Sequence, residues 1–261
     1  MGRLSNLFRT FTKKNKGFPK AKNTIIDFNN WTSFQNQSSY LKGYFEFPEY
    51  NPKTDSYAKR IRSLLLLSIV DGIMSSDNIA NFAECGCYKG HSSFAISKIL
   101  QKNNFEQKFY IFDSFEGLSE PTDNDILDSD GKSVRQELKS MLLGDNLKFI
   151  GDYELYKKLM SDFNFIDIKK GWIPERFSEV QDSRFSFVHI DVDIYEPTLD
   201  SLKFFYKRLI NGGVIVIDDY SRPYWPGCDR AVNEFIRSIS EDSDYRFFEV
   251  PLGGAVLTKI C

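Results

Sequence analysis

Residues Phe187 to Glu196 read Phe-Val-His-Ile-Asp-Val-Asp-Ile-Tyr-Glu, so an apolar segment runs directly into acidic residues. The apolar half, Phe187–Ile190, favours a buried β-strand, and Asp191 and Asp193 follow at the point where that strand should end. Carboxylates just past a central strand stand where α/β sheets bind ligands. The alternative is that these acids only end the strand and cap the next helix, because Asp is common in loops.

Segments on both sides of this stretch alternate between strand-like and helix-like patterns, which predicts an α/β fold with a doubly wound, mostly parallel sheet. Strands are expected at 81–84, 108–113, 165–171, 185–191 and 213–218. Helices are expected at 56–74, 91–100, 132–143, 152–162 and 229–240, and another from Pro197, a residue that suits the first helical position. The segments 245–250 and 255–260 flank a turn, so we expect them to form a final antiparallel pair in a seven-stranded sheet.

Composition limits the class of protein. The chain has 261 residues, 41% of them hydrophobic, and a net charge of −2, which suits one large domain and gives no general sign of nucleic-acid binding. Cys85, Cys87, Cys228 and Cys261 lack the spacing of a zinc site. The apolar run Leu64–Val70 is too short to cross a bilayer, and no secretory signal is visible, so we expect reduced thiols and a cytoplasmic protein.

The sequence divides into three parts. Residues 1–22 form a basic arm with seven Lys or Arg residues and no acid, which predicts either weak contact with an anionic membrane surface or a solvated arm. Residues 23–75 combine an aromatic-rich segment with the leading helix, and this segment either covers a pocket as a lid or packs on the core. Residues 76–261 contain the sheet domain.

Two candidate cofactor sites follow the first two predicted strands. Glu84-x-Gly86-x3-Gly90 is a glycine turn that lets a ligand approach the backbone, and it is neither a dinucleotide nor a phosphate-loop motif. Asp113, followed by Ser114, can accept the hydroxyls of a ribose, although it is also a residue that begins turns. Together they favour a nucleoside cofactor without phosphates, and S-adenosylmethionine fits because its cationic groups suit acids.

Two further sites complete the predicted cleft. Gly171 and Trp172 follow the third strand and could flank an adenine, although Trp172 could equally be a core residue. Asp191 and the pair Asp218-Asp219 follow neighbouring apolar strands, so their carboxylates should converge. Three carboxylates with no His or Cys nearby favour a hard divalent cation such as Mg²⁺ or Mn²⁺ over zinc. His189 is expected to be a packed strand residue rather than a ligand.

Five motifs in this order resemble the macrocin O-methyltransferase family, whose members methylate sugar hydroxyls of macrolides and related natural products. The motifs are Glu84-Cys-Gly-x3-Gly90, Asp113-Ser-Phe-Glu-Gly117, Lys170-Gly-Trp172, His189-Ile-Asp-x-Asp-x-Tyr-Glu-Pro-Thr198 and Gly212-Gly-x4-Asp-Asp-Tyr220. The resemblance covers about residues 55–240. It implies a Rossmann-like class I methyltransferase fold, S-adenosylmethionine, Mg²⁺ and a homo-oligomer.

The resemblance also implies roles for individual residues. Asp191, Asp218 and Asp219 would be the metal ligands, and Asp191 would be the best candidate to accept the substrate proton. The expected reaction is O-methylation of a sugar hydroxyl on a glycan, nucleotide sugar or glycosylated natural product, with vicinal hydroxyls on the acceptor. Two alternatives remain at this point: a metal-dependent glycosyltransferase that uses Asp191-x-Asp193, and a non-catalytic protein that binds a nucleoside.

Overall fold

The computed structural model describes residues 39–125, 149–222, 225–239, 244–250 and 252–260. The predicted basic arm at 1–22, residues 23–38 of the predicted lid and the predicted helix at 132–143 lie outside these ranges. None of the helices within the described ranges has both the length and the apolar character needed to cross a membrane.

Seven strands within the described ranges form one sheet in the order β3-β2-β1-β4-β5-β7-β6. The first five strands in the chain pair in parallel, and β7 pairs antiparallel with both β5 and β6. The strands are β1 Asn81–Cys85, β2 Phe109–Asp113, β3 Ile166–Lys170, β4 Phe185–Ile190, β5 Leu209–Ile217, β6 Tyr245–Glu249 and β7 Ala255–Lys259. The predicted doubly wound sheet with its antiparallel final pair is therefore confirmed.

Helices cover both faces of this sheet. The α-helices in the described ranges are α1 Lys42–Phe45, α2 Tyr57–Met74, α3 His91–Lys102, α4 Tyr153–Met160, α5 Tyr195–Tyr206 and α6 Pro226–Ile239. Short 3-10 helices lie at Ser39–Leu41, Asp123–Asp125 and Glu175–Val180. Buried side chains of α2, α3 and α4 form one core cluster, and those of α5 and α6 form the other. Alternate residues of the central strands enter each cluster, so Phe187 packs on one side and Val188 on the other.

Helix α2 matches the predicted leading helix, and it belongs to the same compact unit as the sheet. Its N-terminus is capped by Ser56, whose hydroxyl accepts a hydrogen bond from the backbone N–H of Lys59 at 3.3 Å. Several predicted boundaries were wrong, including the start of α6, which is Pro226 rather than 229. Strand β5 begins at Leu209 rather than 213, and α5 begins at Tyr195, so Pro197 occupies a later position of the first turn. A proline is tolerated there because the first backbone N–H groups have no partner within a helix.

The segment before α2 is tied down by Asp55. The hydroxyls of Tyr44 and Tyr50 donate to its carboxylate at 2.6 and 2.8 Å, and Arg60 Nε donates at 2.7 Å. We refer to Tyr44, Tyr50, Asp55 and Arg60 as the Asp55 clasp. The ring of His91, at the start of α3, stacks on Tyr44 with a centroid distance of 4.1 Å. The described part of the predicted lid therefore packs on the core.

Candidate active site

A cavity of about 310 Å³ lies at the carboxyl ends of the central strands. It borders β1 and β4, where the order of the strands reverses, and this is the position at which open α/β sheets bind ligands. Gly86 and Asp113 line the cavity from the ends of β1 and β2, while Asp191 and Asp218 line it from the ends of β4 and β5. Four sites predicted from separate parts of the sequence thus share one cavity.

Gly86 allows the turn after β1 to touch the backbone that follows β4. Its φ angle is +80°, and a Cβ atom built on it would lie 1.9 Å from the carbonyl oxygen of Asp191. The same contact region contains a 2.8 Å hydrogen bond from the Asp191 backbone N–H to the Cys85 carbonyl. Only glycine fits this position, because any side chain would collide with the neighbouring strand end.

Asp113 holds the glycine turn in place. Its carboxylate accepts three backbone N–H groups, from Cys87 at 2.7 Å, from Tyr88 at 3.0 Å and from Phe115 at 2.7 Å. A carboxylate has about four acceptor positions, so capacity for about one more donor remains. Asp113 also lines the cavity, and it can therefore shape the turn and still receive one ligand hydroxyl.

Ser114, Gly171 and Trp172 also line the cavity. The Ser114 hydroxyl donates to the Gly117 carbonyl and accepts the Glu116 N–H, each at 3.0 Å, so it shapes the loop after β2. The backbone N–H of Gly171 donates to the Asp113 carbonyl at 2.9 Å, which draws the end of β3 to the same edge. These three predicted cofactor residues are all placed where a ligand in the cavity would meet them.

Glu84 and Gly90, also predicted as cofactor residues, do not line the cavity. The Glu84 carboxylate is fully buried, accepts a hydrogen bond from the Ser93 hydroxyl, and lies 2.8 Å from Nδ1 of His189. Gly90 lies at the start of α3, where a Cβ atom would lie 2.7 Å from the Tyr156 side chain. In this structure both residues support the glycine turn through contacts outside the cavity.

His189 is packed in the sheet, as the sequence predicts. Burial alone would lower its pKa, but the Glu84 hydrogen bond and the nearby charges of Asp191 and Asp218 raise it to about 9. The ring pairs with Glu84 inside the sheet, and His189 is not among the residues that line the cavity.

Three carboxylates converge at the other end of the cavity, and we refer to Asp191, Asp193 and Asp219 as the acid cluster. One oxygen from each lies within 4.8 Å of the others. Asp218 instead forms an ion pair with Arg62 of α2. Asp193, which is not among the predicted ligands, has a φ of +62°, in the left-handed region that Asp adopts more readily than most residues.

The acid cluster is electrostatically strained. Burial, followed by the charges of its neighbours, raises the pKa of Asp191 to about 6 and that of Asp193 to about 8. The pKa of Asp219 is raised well above its ordinary value for the same two reasons. Arg222 lies 3.5 Å from Oδ1 of Asp219, whereas the buried Oδ2 has no hydrogen-bond partner among the described residues. An oxygen donor set with an unpartnered acceptor fits a hard divalent cation.

The remaining wall of the cavity is aromatic and apolar. Phe149 meets Trp225 edge to face at 6.2 Å between ring centroids, and Tyr88 lies 6.4 Å from Phe149. Sequence reasoning missed Phe149 and Trp225, because neither belongs to a motif and they are separated along the chain. Rings in this arrangement can pack against the apolar face of a sugar ring while the acids meet its hydroxyls.

A family model described as macrocin-O-methyltransferase (TylF) matches residues 56–244. This chain belongs to that family. The matched range contains every cavity residue named above, from Arg62 to Trp225, and begins directly after Asp55 of the Asp55 clasp. The resemblance seen in the five motifs is therefore confirmed.

The curated relatives of this chain include two O-methyltransferases. The 8-demethyl-8-(2,3-dimethoxy-alpha-L-rhamnosyl)-tetracenomycin-C 4'-O-methyltransferase of Streptomyces olivaceus is 25% identical over 172 residues, which is 64% of this chain and 61% of the relative. The mycinamicin III 3''-O-methyltransferase of Micromonospora griseorubida is 27% identical over 154 residues, 58% of each chain. The alignments thus span about three-fifths of these relatives' own length.

Solved structures show the same fold. The O-methyltransferase NovP superposes with a TM-score of 0.56 at 18% identity, covering 74% of this chain and 79% of NovP. The calicheamicin methyltransferase CalS11 gives 0.54 at 16% identity, covering 94% and 98%. An S-adenosylhomocysteine-bound methyltransferase of Podospora anserina, PaMTH1, gives 0.53 at 15% identity, covering 94% and 100%. This protein therefore has the Rossmann-like class I methyltransferase fold.

Proposed function

We propose that this protein is an S-adenosylmethionine-dependent O-methyltransferase that acts on a sugar hydroxyl of a glycan, nucleotide sugar or glycosylated natural product. One observation carries the proposal: a single cavity joins the glycine turn and Asp113 to the acid cluster. Membership of the macrocin-O-methyltransferase family supports the reaction type, and the relatives named for 4' and 3'' sugar positions support the acceptor class.

The cofactor would occupy the side of the cavity formed by Gly86, Asp113, Ser114, Gly171 and Trp172. The one acceptor position left on Asp113 suits a ribose hydroxyl, and Trp172 can pack against the adenine. S-adenosylmethionine carries a sulfonium and an ammonium group, so a cleft bordered by carboxylates favours it electrostatically. PaMTH1, which has the same fold, is described with the demethylated form of this cofactor bound.

A divalent cation, Mg²⁺ or Mn²⁺, would be held by Asp191, Asp193 and Asp219, and Asp218 remains a predicted further ligand. Such an ion supplies Lewis-acid stabilisation of the negative charge that develops on a reacting hydroxyl. The acids fit this role because burial and mutual repulsion raise their pKa values, and Oδ2 of Asp219 has no hydrogen-bond partner among the described residues.

The side chains themselves would perform two tasks, which are acceptance of a proton and positioning of the sugar ring. Asp191 would accept the hydroxyl proton as the oxygen forms its bond to the methyl carbon and the carbon–sulfur bond breaks. Asp193 is a second candidate for the base, because its carboxylate lies in the same acid cluster as that of Asp191. Phe149 and Trp225 would hold the sugar ring against the acids, and this positioning is the main contribution available for an in-line transfer.

The two alternatives now receive less support. A glycosyltransferase would use Asp191-x-Asp193 with a nucleotide diphosphate, but the family match and the glycine turn both favour methyl transfer. A non-catalytic protein would have no need of three carboxylates whose oxygens lie within 4.8 Å of one another beside the cavity. The homo-oligomer, the cytoplasmic location and the membrane contact of residues 1–22 stay predictions.

Ligand binding and turnover test the proposal together. S-adenosylmethionine and S-adenosylhomocysteine, at about a hundred times their dissociation constants, should raise the melting temperature by about 5 °C or more. Methyl transfer from labelled S-adenosylmethionine should then appear with rhamnosylated natural products or nucleotide sugars, disappear in EDTA and return with Mg²⁺.

A matched pair of variants gives the control. Asp113→Ala should weaken S-adenosylmethionine binding, whereas Glu154→Gln, on the exposed face of α4, should leave it unchanged. Sugar transfer from a nucleotide sugar without any response to S-adenosylmethionine would establish the glycosyltransferase alternative instead.

A further inference from the structure

The ion pair between Arg62 and Asp218 joins the leading helix to the edge of the acid cluster. Arg62 lies on α2, and its Nη1 contacts Oδ2 of Asp218, which directly follows β5 and precedes Asp219. Both side chains border the cavity. Asp218 is also one of the metal ligands that the family resemblance predicts, so a guanidinium holds a carboxylate that the motif assigns to a cation.

A second arginine on the same helix, Arg60, forms an ion pair whose carboxylate accepts several hydrogen bonds. Arg60 Nε and Nη2 each reach the Asp55 carboxylate at 2.7 Å, and two tyrosine hydroxyls donate to the same group. By contrast, Nε of Arg62 is buried without a hydrogen-bond partner among the described residues. The Arg62 pair is therefore less completely satisfied and easier to displace than the Arg60 pair.

The negative charges of the neighbouring aspartates favour a positively charged group next to Asp218. Asp218, Asp219, Asp191 and Asp193 all border one cavity, and like charges at this spacing repel one another. Arg62 neutralises one of them, in the way that a bound metal would neutralise the group. Arg62 contacts Oδ2 of Asp218, so a divalent ion can bind both oxygens of this carboxylate only if it displaces the guanidinium, and otherwise it shares the carboxylate through Oδ1.

We propose that Arg62 is a positioning residue that competes with the divalent cation for Asp218. This rests on the proposed metal site, and it adds that the leading helix lowers the affinity of that site. Arg62 pairs with Asp218 when no cation is bound, and the affinity for the cation is weaker than the carboxylates alone would give.

Calorimetric titration of the full-length protein with Mn²⁺, without cofactor or acceptor, tests the competition. Arg62→Met keeps much of the aliphatic stem and removes the charge, so Mn²⁺ should bind about tenfold more tightly. The gain should vanish in the Asp218→Asn background, because the competition takes place at that carboxylate. Arg60→Met removes an ion-paired arginine from the same helix and should leave the Mn²⁺ affinity within about twofold of the parent.

Two results would overturn the proposal: an unchanged Mn²⁺ affinity in Arg62→Met, or a gain that persists in Asp218→Asn. If Arg62→Met does not fold, Arg62→Lys applies the same test with a smaller expected gain, since a lysine cannot reproduce the planar fork. Cofactor binding, measured on the same samples, separates this question from the proposed function. Absence of Mn²⁺ binding in the parent would contradict the metal site itself, whereas binding that ignores Arg62 would contradict only the competition.

Discussion

Asp55 and Asp219 are both carboxylates whose side chains are almost entirely removed from solvent, with exposed fractions of 2% and 4%. Burial would raise the pKa of each, but hydrogen bonds from Tyr44, Tyr50 and Arg60 lower that of Asp55 below its ordinary value. Asp219 has no comparable set of donors, and its pKa is raised by burial and by its acidic neighbours. Hydrogen-bond donors, rather than burial itself, therefore distinguish Asp55, which has a structural role, from Asp219, which is proposed to bind a cation.

The largest expected effect comes from removing charge in the acid cluster. Asp219→Asn keeps the size of the side chain, yet it should lower kcat/KM at least about a hundredfold, because it removes one of the groups proposed to hold the cation. Calorimetry should show cofactor binding within about threefold of the parent, since Asp113 ends β2 and Asp219 follows β5, three strands further along the sheet.

Asp55→Asn provides the control for this comparison, because it alters an equally buried carboxylate outside the cavity. Its kcat/KM, corrected for the folded fraction, should stay within about tenfold of the parent. A larger loss in Asp55→Asn than in Asp219→Asn would reverse the assignment of structural and functional acids.

Stability should show the opposite ranking. Asp55→Ala leaves the Tyr44 and Tyr50 hydroxyls and the Arg60 guanidinium without their shared acceptor, and we expect a loss of about 2–4 kcal/mol in the free energy of unfolding. Urea denaturation measures this loss as a lower midpoint at an unchanged slope. A loss below about 1 kcal/mol would mean that water replaces the carboxylate at little cost.

The pH dependence of stability distinguishes the two groups of acids by sign. The pKa of Asp193 is raised from 3.8 to about 8, so the folded state binds more protons than the unfolded state between these values. Its contribution to stability therefore falls as pH rises through that window. Asp193→Asn should gain stability relative to the parent as the pH rises from about 5 to about 8.5.

Melting curves in EDTA measure this difference. The melting temperature of Asp193→Asn minus that of the parent should increase by at least about 2 °C across the interval. Mg²⁺ added to the parent should reduce the difference, because a bound cation compensates the same charge. A difference that does not change with pH would show that Asp193 is not strained by its neighbours.

The smallest effect is expected from Tyr50→Phe, which removes one donor of the Asp55 clasp. The hydrogen bond is 2.8 Å long, and its loss should lower the free energy of unfolding by about 0.5–1.5 kcal/mol. Turnover should not change, because Tyr50 does not line the cavity. A double-mutant cycle with Asp55→Asn would show whether the effect passes through that carboxylate.

Much of the fold could be predicted because it depends on local periodicity. Apolar runs gave the strands, Ser56 marked the start of α2, and the turn at 251–254 indicated the antiparallel final pair. Boundaries were less certain where a tertiary contact decides them. Strand β5 extends back to Leu209 because that residue pairs with Phe185, a contact between strands that local sequence does not encode.

The position of the candidate site could be predicted from the sequence, but the contacts of several individual residues could not. Asp113 and Asp191 lie where strand ends meet, as expected from the parallel order. Glu84 was expected to bind the cofactor, but pairing of β1 with β4 places it beside His189, and the register cannot be read from the motif. Arg62 was missed because it lies 156 residues before its partner Asp218.

Gly86 gives the fold a criterion that can be applied to other sequences. Its missing side chain is what permits the 1.9 Å approach between the place for a Cβ atom and the Asp191 carbonyl. A related chain with alanine at this position could keep the sheet and all five acids that line the cavity, yet its turn would have to move away from the strand that leads into Asp191. In distant or engineered sequences, a glycine at this position therefore indicates that the turn can keep its close contact with the segment after β4. The acids alone indicate only that the chemical groups of the proposed site are present.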